Sequence, residues 1–552
     1  MKPIVKISCM TIIYVIAMLS CDREEAIISV NSVTIDILPA PATGNTVNLG
    51  STLTATVTVL PDNATNKSVT FVSNNPSVIS VAASGGILKA ESAGQATVTA
   101  TANDGSGMSA SVTLKVVIPE IVVSVSGTHL YTGMAVEPSG ENVTVKAGDV
   151  VLTAGTDYTL SFTNNIEVGT ATVTATGTGA YAGIVKTANF AVMAFAGSGT
   201  NTSPYRIDTP ARLALLAKLV NARTAPYANA DVYYELAADI DLDTAPYNSG
   251  TGWTPIGLGS NGFRGHFYGN NRVVSGLYIN NTNLASAGLF GYISNGTVRN
   301  LGVEDGEISG NRYVGGVAGY LNNSSIINCY STNTVSGNSD VGGVAGNLTN
   351  SSITNCYATG KVSGSSEVGG VAGNLNIGSV INCYSTNAVS GSNRVGGVAG
   401  YVGGFGNSQV TNCYATGTVS GSRNVGGVAG YLTYGSSVSY CAALNADITR
   451  IGSLNSFGRV VGYLETASVA VGYNIALVGL MLPGGATGNN GSSITAAEAK
   501  MQITYSGSGS NQLGWKFGGN DTGPWKMGVN SYVLPVFYWQ TTAPAAMPAH
   551  LQ

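Results

Sequence analysis

The hexapeptide Val-Gly-Gly-Val-Ala-Gly begins at Val314, Val341, Val368, Val395 and Val425, and degenerate copies begin at Ser286 and Phe457, giving spacings of 28, 27, 27, 27, 30 and 32 residues. A constant period of this length constrains the fold more than any other feature, because each unit can bury its apolar face only against the next. Full units continue with Ser-(Ile/Val)-x-Asn-Cys-Tyr, as in Ser325–Tyr330 and Ser352–Tyr357, then Val-Ser-Gly and a polar turn. Short β-prone runs with Gly at fixed turns predict a parallel β-solenoid, in which equivalent residues of adjacent coils stack ~4.8 Å apart.

Stacking turns the repeat into columns. Asn300, Asn328, Asn355, Asn382 and Asn412 form one, read as an internal ladder of side-chain amides. Leu301, Cys329, Cys356, Cys383, Cys413 and Cys441 form the next, and Leu at its first place marks an apolar interior. Parallel stacked Cys keep their β-carbons farther apart than the ~3.5–4.5 Å a disulfide needs, so free buried thiols are predicted. Tyr330, Tyr357, Tyr384 and Tyr414, of opposite parity, are expected on an outer face, either as a surface stack or as an aromatic strip for sugars.

Composition narrows the function. Charged residues make up 9% of 552 residues, the net charge is −4, and there is no Lys/Arg run, which removes the electrostatic footprint of nucleic-acid binding. Three scattered His argue against His-rich metal sites and most His-dependent catalysis. Asp340 and Glu367 occupy the same place in adjacent coils, near the ~5 Å separation of a retaining glycosidase. Their column continues with Arg394, with Arg312 and Arg423 within a residue of it, so it reads as a solvated turn of mixed sign and no catalytic residue is assigned. Asp239, Asp241 and Asp243 share one strand face by period two and read as a solvated strand edge, with a calcium site as the alternative. No cofactor is assigned, calcium at these aspartates being the alternative.

The N-terminus sets an expected location. Lys2 and Lys6 precede the apolar run Met10–Leu19, too short to span a bilayer, and Ser20-Cys21 follows. Ala17-Met-Leu-Ser-Cys21 resembles a bacterial lipobox, which implies diacylation of Cys21 and membrane attachment; plain secretion is the alternative. The acidic tract Cys21–Glu25 resembles the signal that sends some Gram-negative lipoproteins to the outer face of the outer membrane.

From Ser32 to Val117 apolar and polar residues alternate in short runs broken by turns, the pattern of a β-sandwich. Pro61–Thr65, Val69–Val78 and Gly94–Ala100 resemble the group 2 bacterial immunoglobulin-like domain, with Phe71 where Trp is common. Tyr131–Gly133, Gly155–Thr159 and Gly169–Val173 resemble a second Ig-like unit of bacterial surface proteins, and Gly288-Leu-Phe-Gly291 with its Gly-Val-Ala-Gly copies resembles the GLUG motif. One helix is expected from Pro210, with Thr209 as its N-cap.

The expected organisation is all-β: signal peptide 1–21, tether 22–31, Ig-like domains 32–118 and 119–195, first coils with one capping helix 196–285, a GLUG parallel β-solenoid 286–464 and a C-terminal cap 465–552. That cap concentrates Trp515, Phe517, Trp525, Tyr532 and Trp539 and is expected to cover the last coil, an aromatic carbohydrate platform being the alternative. The resemblances imply a lipid-anchored surface protein, non-enzymatic, that binds glycans or host or bacterial surface proteins as an adhesin. A β-helical polysaccharide-degrading enzyme and a passive structural protein are the competing readings.

Overall fold

The computed structural model describes residues 26–552 except 405, 434, 452–455, 466–469, 481–489, 521, 542–543 and 545. The signal region and Cys21 therefore lie outside the described residues. The chain forms two compact units, the first built from most of residues 26–191 and the second from Val192–Gln552 with two short earlier segments.

In the first unit, strands Ser32–Leu38, Thr52–Leu60, Ile87–Ala90 and Ile79–Val81 make one sheet, and Thr46–Asn48, Ser109–Val117, Gly94–Ala102 and Val69–Ser73 make another. Alternation in the sequence becomes alternation of burial: Leu53, Ala55, Leu88, Ala96, Val98 and Leu114 point into one core, while the Thr residues between them face out. Residues 121–193 form a further pair of sheets, centred on strands Val143–Ala147 and Gly169–Gly177.

The second unit is a parallel β-solenoid of about nine turns. It opens with strand Tyr205–Ile207 and helix α1 (Pro210–Asn221), whose first turn is capped by the Thr209 hydroxyl accepting from the Arg212 N–H at 3.3 Å, with Pro at the helix start. Leu213, Leu216 and Val220 bury its inner face. A representative coil contains strands Arg312–Gly315, Ala318–Asn322, Ser325–Ile327, Tyr330–Ser331 and Thr334–Ser336. Each pairs in parallel with its copy one repeat on: Val314 with Val341, Ala318 with Ala345, Ile326 with Ile353, Tyr330 with Tyr357 and Val335 with Val362.

Gly-Gly is demanded by the closeness of the coils. A β-carbon at Gly342 would lie 2.0 Å from the Ala345 carbonyl oxygen, and one at Gly343 2.2 Å from that of Gly370. The bends use left-handed backbone at residues other than Gly: Asn300, Asn328, Asn355, Asn382 and Asn412 have φ between 51 and 57°. Asn is among the few residues that tolerate this conformation. Each amide nitrogen then donates to the Oδ1 of the preceding rung at 3.0–3.1 Å, so the predicted ladder forms, at a partly buried bend rather than deep inside.

Cys329, Cys356, Cys383, Cys413 and Cys441 are free and buried, each thiol approaching the carbonyl two residues upstream at 3.2 Å. Burial pushes the thiols of Cys329, Cys383, Cys413 and Cys441 well above the ordinary range.

A two-coil alternation underlies the 27-residue period. After Cys-Tyr the coils read Ser-Thr-Asn333, Ala-Thr-Gly360, Ser-Thr-Asn387 and Ala-Thr-Gly417, and after Cys441-Ala442 the next reads Ala-Leu-Asn445. A β-carbon at Gly360 would sit 1.9 Å from the Asn333 carbonyl oxygen, and one at Gly417 1.7 Å from that of Asn387. The buried Asn445 amide reaches back to the Gly417 carbonyl at 2.9 Å. Asn and Gly coils thus bend differently and fit one another in pairs.

Candidate functional site

Tyr330, Tyr357, Tyr384 and Tyr414 stack as predicted, with ring centroids 4.8–4.9 Å apart and planes within 4°. They lie on the outside of the coil, yet the expectation of an open strip is corrected, because Tyr357 is 6% exposed and Tyr384 and Tyr414 are fully buried. The C-terminal segment covers them. After strand Ser492–Ile494 extends the last coil, the chain runs back along the solenoid, placing Trp515 and Trp525 over Tyr414, Phe537 over Tyr384, and Trp539 over Tyr357 and Tyr330. The covering rings stack on one another at 4.7–5.1 Å. Tyr384 donates its hydroxyl to Gln540 Oε1 at 2.9 Å and Tyr414 to the Pro535 carbonyl at 2.7 Å. The segment expected to cap only the end therefore also roofs a side face. Among the described residues the stack opens at its N-terminal end: Gly302 takes the place of a ring, and Tyr330 donates to Glu304 at 2.5 Å beside a pocket of ≈ 190 Å³ lined by Trp539.

Asp239, Asp241 and Asp243 are exposed, as period two requires, and each engages a different neighbour. Asp239 accepts from the Val273 N–H, Asp241 from the Asp243 N–H, and Asp243 from the Asn248 amide. Among the described residues no group of three or more His, Cys, Asp or Glu side chains is arranged to hold a metal ion: the three carboxylates share a face without converging.

A second column was not read from the sequence. Tyr292, Tyr320, Asn347, Asn374, Tyr401, Tyr431 and Tyr463 follow one another in register. Tyr292 stacks on Tyr320 at 5.0 Å, and Tyr401, Tyr431 and Tyr463 stack at 5.8 and 5.2 Å. Two missing rings, at Asn347 and Asn374, break the tyrosine column and leave an open groove of ≈ 780 Å³ on the exposed side of the solenoid.

The mixed-sign column forms the groove's other wall. Tyr313, Asp340, Glu367 and Arg394 all adopt left-handed backbone, φ 51–56°, which turns their side chains toward the Asn pair. Asp340 is buried, correcting its reading as a solvated turn; it accepts from Arg312 Nε at 3.0 Å, Asn347 at 3.2 Å and Asn374 at 2.6 Å. Arg394 pairs with Glu367 at 2.5 Å and lies over the Tyr401 and Tyr431 rings. Arg312, its side chain 56% exposed, lies over Tyr313. The hydrogen bond to Asp340 raises the Arg312 guanidinium further above its usual range, and burial raises the Tyr313 phenol.

Residues 31–113 match the bacterial Ig-like domain of group 2, and residues 310–336, 337–363, 391–420 and 421–449 each match the GLUG motif. The chain carries a group 2 Ig-like domain and a run of GLUG repeats. The GLUG stretches contain most of the groove: Tyr313, Tyr320, Asp340 and Asn347 fall in the first two, and Arg394 and Tyr401 in the third. Over 106 residues the chain is 42% identical to a protein of Evansella cellulosilytica provisionally described as a Gly-rich membrane protein, a match covering 19% of this chain and 11% of that one. It is 36% identical over 129 residues to halomucin of Haloquadratum walsbyi, covering 23% of this chain and 1% of halomucin. The matches thus span about a tenth or less of these relatives' length. A crystal structure from Bacteroides ovatus, provisionally described as an immunoglobulin A1 protease, aligns with 62% of this chain and 95% of its own at 24% identity and a TM-score of 0.42.

Proposed function

We propose that this protein is a lipid-anchored, surface-exposed binding protein of the outer membrane, an adhesin in the broad sense, that presents its solenoid to glycan or protein ligands and performs no chemistry on them. The observation that carries this reading is the open groove at the break in the second tyrosine column, where aromatic ends and a polar floor are already in place. The lipobox-like sequence ending at Cys21 supports the anchor, and the Ig-like domain fits a spacer between membrane and solenoid.

The same groove favours binding over cleavage. Carboxylate-dependent glycosidases need one carboxyl group free to give a proton to the leaving oxygen and a second free to attack or to activate water. Here Asp340 accepts from Arg312 and two Asn, and Glu367 is paired with Arg394, so both carboxylates are committed as acceptors.

The test is retention of the ectodomain beginning after Cys21 on arrays of glycans and matrix proteins, with and without calcium. Saturable, calcium-independent binding to one class is expected. New reducing ends from a polysaccharide, lost in Asp340→Ala or Glu367→Ala, would overturn the non-enzymatic reading. Protease added to intact cells should remove the solenoid; complete protection would refute surface exposure.

A further inference from the structure

We propose that the groove between Tyr320 and Tyr401 binds a neutral oligosaccharide, with the aromatic rings as end walls and the two arginines as hydrogen-bond donors. This rests on the binding-protein reading and specifies its ligand and site.

The argument begins with the interruption. In a column that otherwise offers Tyr at every described rung from Tyr292 to Tyr463, two consecutive rungs carry Asn347 and Asn374. Three coil steps separate Tyr320 from Tyr401, so the two rungs lie ~14 Å apart at ~4.8 Å per coil and leave ~11 Å clear once the thickness of the rings is taken off, enough for a short oligosaccharide rather than a single ring. Both ends are aromatic: Tyr313 stacks on Tyr320 at 5.1 Å, and Tyr401 is backed by Tyr431. Such surfaces suit the apolar faces of pyranose rings.

The charges decide which saccharide. Every charged group in the groove is paired within it: Arg312 with Asp340 and Arg394 with Glu367. The site is neutral in sum and gives a carboxylated or sulfated sugar no net Coulombic gain. The pairing is layered, however. The carboxylates lie beneath, with side chains 3% and 13% exposed, and the arginine side chains lie nearer solvent, 56% and 34% exposed. Each guanidinium has five N–H donors, and the internal pairing occupies only part of them. What remains on the surface is a fixed set of donors held by buried anions, supplemented by the exposed amide of Asn376. Sugar hydroxyl oxygens match that set. The preorganisation is firm, because Asp340 is held from three directions and cannot swing out to compete.

The experiment titrates the full ectodomain calorimetrically with cellotetraose, maltotetraose, mannotetraose, xylotetraose and, as the charged counterpart, tetragalacturonate. At least one neutral tetrasaccharide should bind, with an affinity that changes less than about twofold between 50 and 500 mM salt, since no counterion-dependent contact is made. Asn374→Tyr, which restores a ring in the gap, and Tyr401→Ala, which removes an end wall, should each weaken binding about tenfold or more. Tyr384→Phe, in the covered stack, should leave it unchanged. Unaltered thermal melting of the variants identifies the loss as local, and if Asn374→Tyr fails to fold, Tyr401→Ala carries the test. Binding of tetragalacturonate alone, falling steeply with salt, would overturn the neutral assignment. Neutral binding indifferent to both groove variants would overturn the site and leave the binding-protein reading intact. Retention of a protein ligand on the array with no saccharide bound would overturn the saccharide, again sparing the broader reading, whereas silence in both assays would refute the two together.

Discussion

Replacing Trp525 with Ala should release the C-terminal segment from the tyrosine stack while leaving the solenoid folded. Trp525 is 1% exposed and lies between Trp515, at 4.8 Å, and Phe537, at 4.7 Å, above Tyr384 and Tyr414. A buried Trp covers ~150–250 Å², which at ~25 cal/mol per Å² corresponds to ~4–6 kcal/mol, and measured Trp→Ala losses of ~3–5 kcal/mol agree. Since ~1.4 kcal/mol is tenfold, the undocked population should rise by roughly two to nearly four powers of ten.

Tyrosine ionisation followed at 295 nm reads this directly. Burial disfavours the phenolate and holds the Tyr384 and Tyr414 phenols well above their ordinary value. Docking stability is therefore complete below ~pH 10, the free-phenol value, and is lost as pH rises above it, because only the undocked form ionises readily. The wild type should show a late titrating group of tyrosines; in Trp525→Ala, Tyr384 and Tyr414 should join the ordinary wave near pH ~10. Circular dichroism of the solenoid should be unchanged at neutral pH. Identical titrations, or loss of the solenoid strands together with the segment, would refute the reasoning.

The stacked thiols should be inert: in the ectodomain beginning after Cys21, a thiol reagent at pH 8 should label none of Cys329, Cys356, Cys383, Cys413 and Cys441 without denaturant and all of them with it, and an intramolecular disulfide in the intact mass would contradict this. Asn355→Ala should cost ~2–4 kcal/mol, combining a broken ladder of partly buried amides with a β-carbon in left-handed backbone lacking the local compensation Asn provides. Asn355→Gly, which keeps the conformation accessible, should cost less, and the order of the two denaturation midpoints is the measurement.

What the sequence made legible is what the repeat writes more than once. The coil period, the register, the Asn and Cys columns and the stacking of Tyr330 through Tyr414 all follow from equivalent positions falling on top of one another. Thr209 and Pro210 announced α1 by local chemistry alone. The roof over the tyrosines was hidden because its contacts, such as Tyr384 with Gln540, join residues 156 apart in a segment that has no repeat. The groove was hidden for a different reason: Asp340, Glu367 and Arg394 look like a solvated turn until left-handed backbone points them sideways at Asn347 and Asn374. A signal was present nonetheless, in the Tyr-Tyr-Asn-Asn-Tyr-Tyr-Tyr order at repeat spacing. The three aspartates show the limit of period two, which places side chains on one face without making them meet.

The alternation of Asn333, Gly360, Asn387, Gly417 and Asn445 sets a rule of growth for this molecule. A gene that duplicates or loses a single 27-residue unit would put Asn against Asn or Gly against Gly at the seam, losing the fit in which a residue without a β-carbon lies against the Asn carbonyl of the preceding coil. Duplication or loss of two units preserves the order. The natural quantum of length is therefore a pair of coils, ~10 Å of rod, and lineages that vary the reach of such a solenoid should do so in even steps.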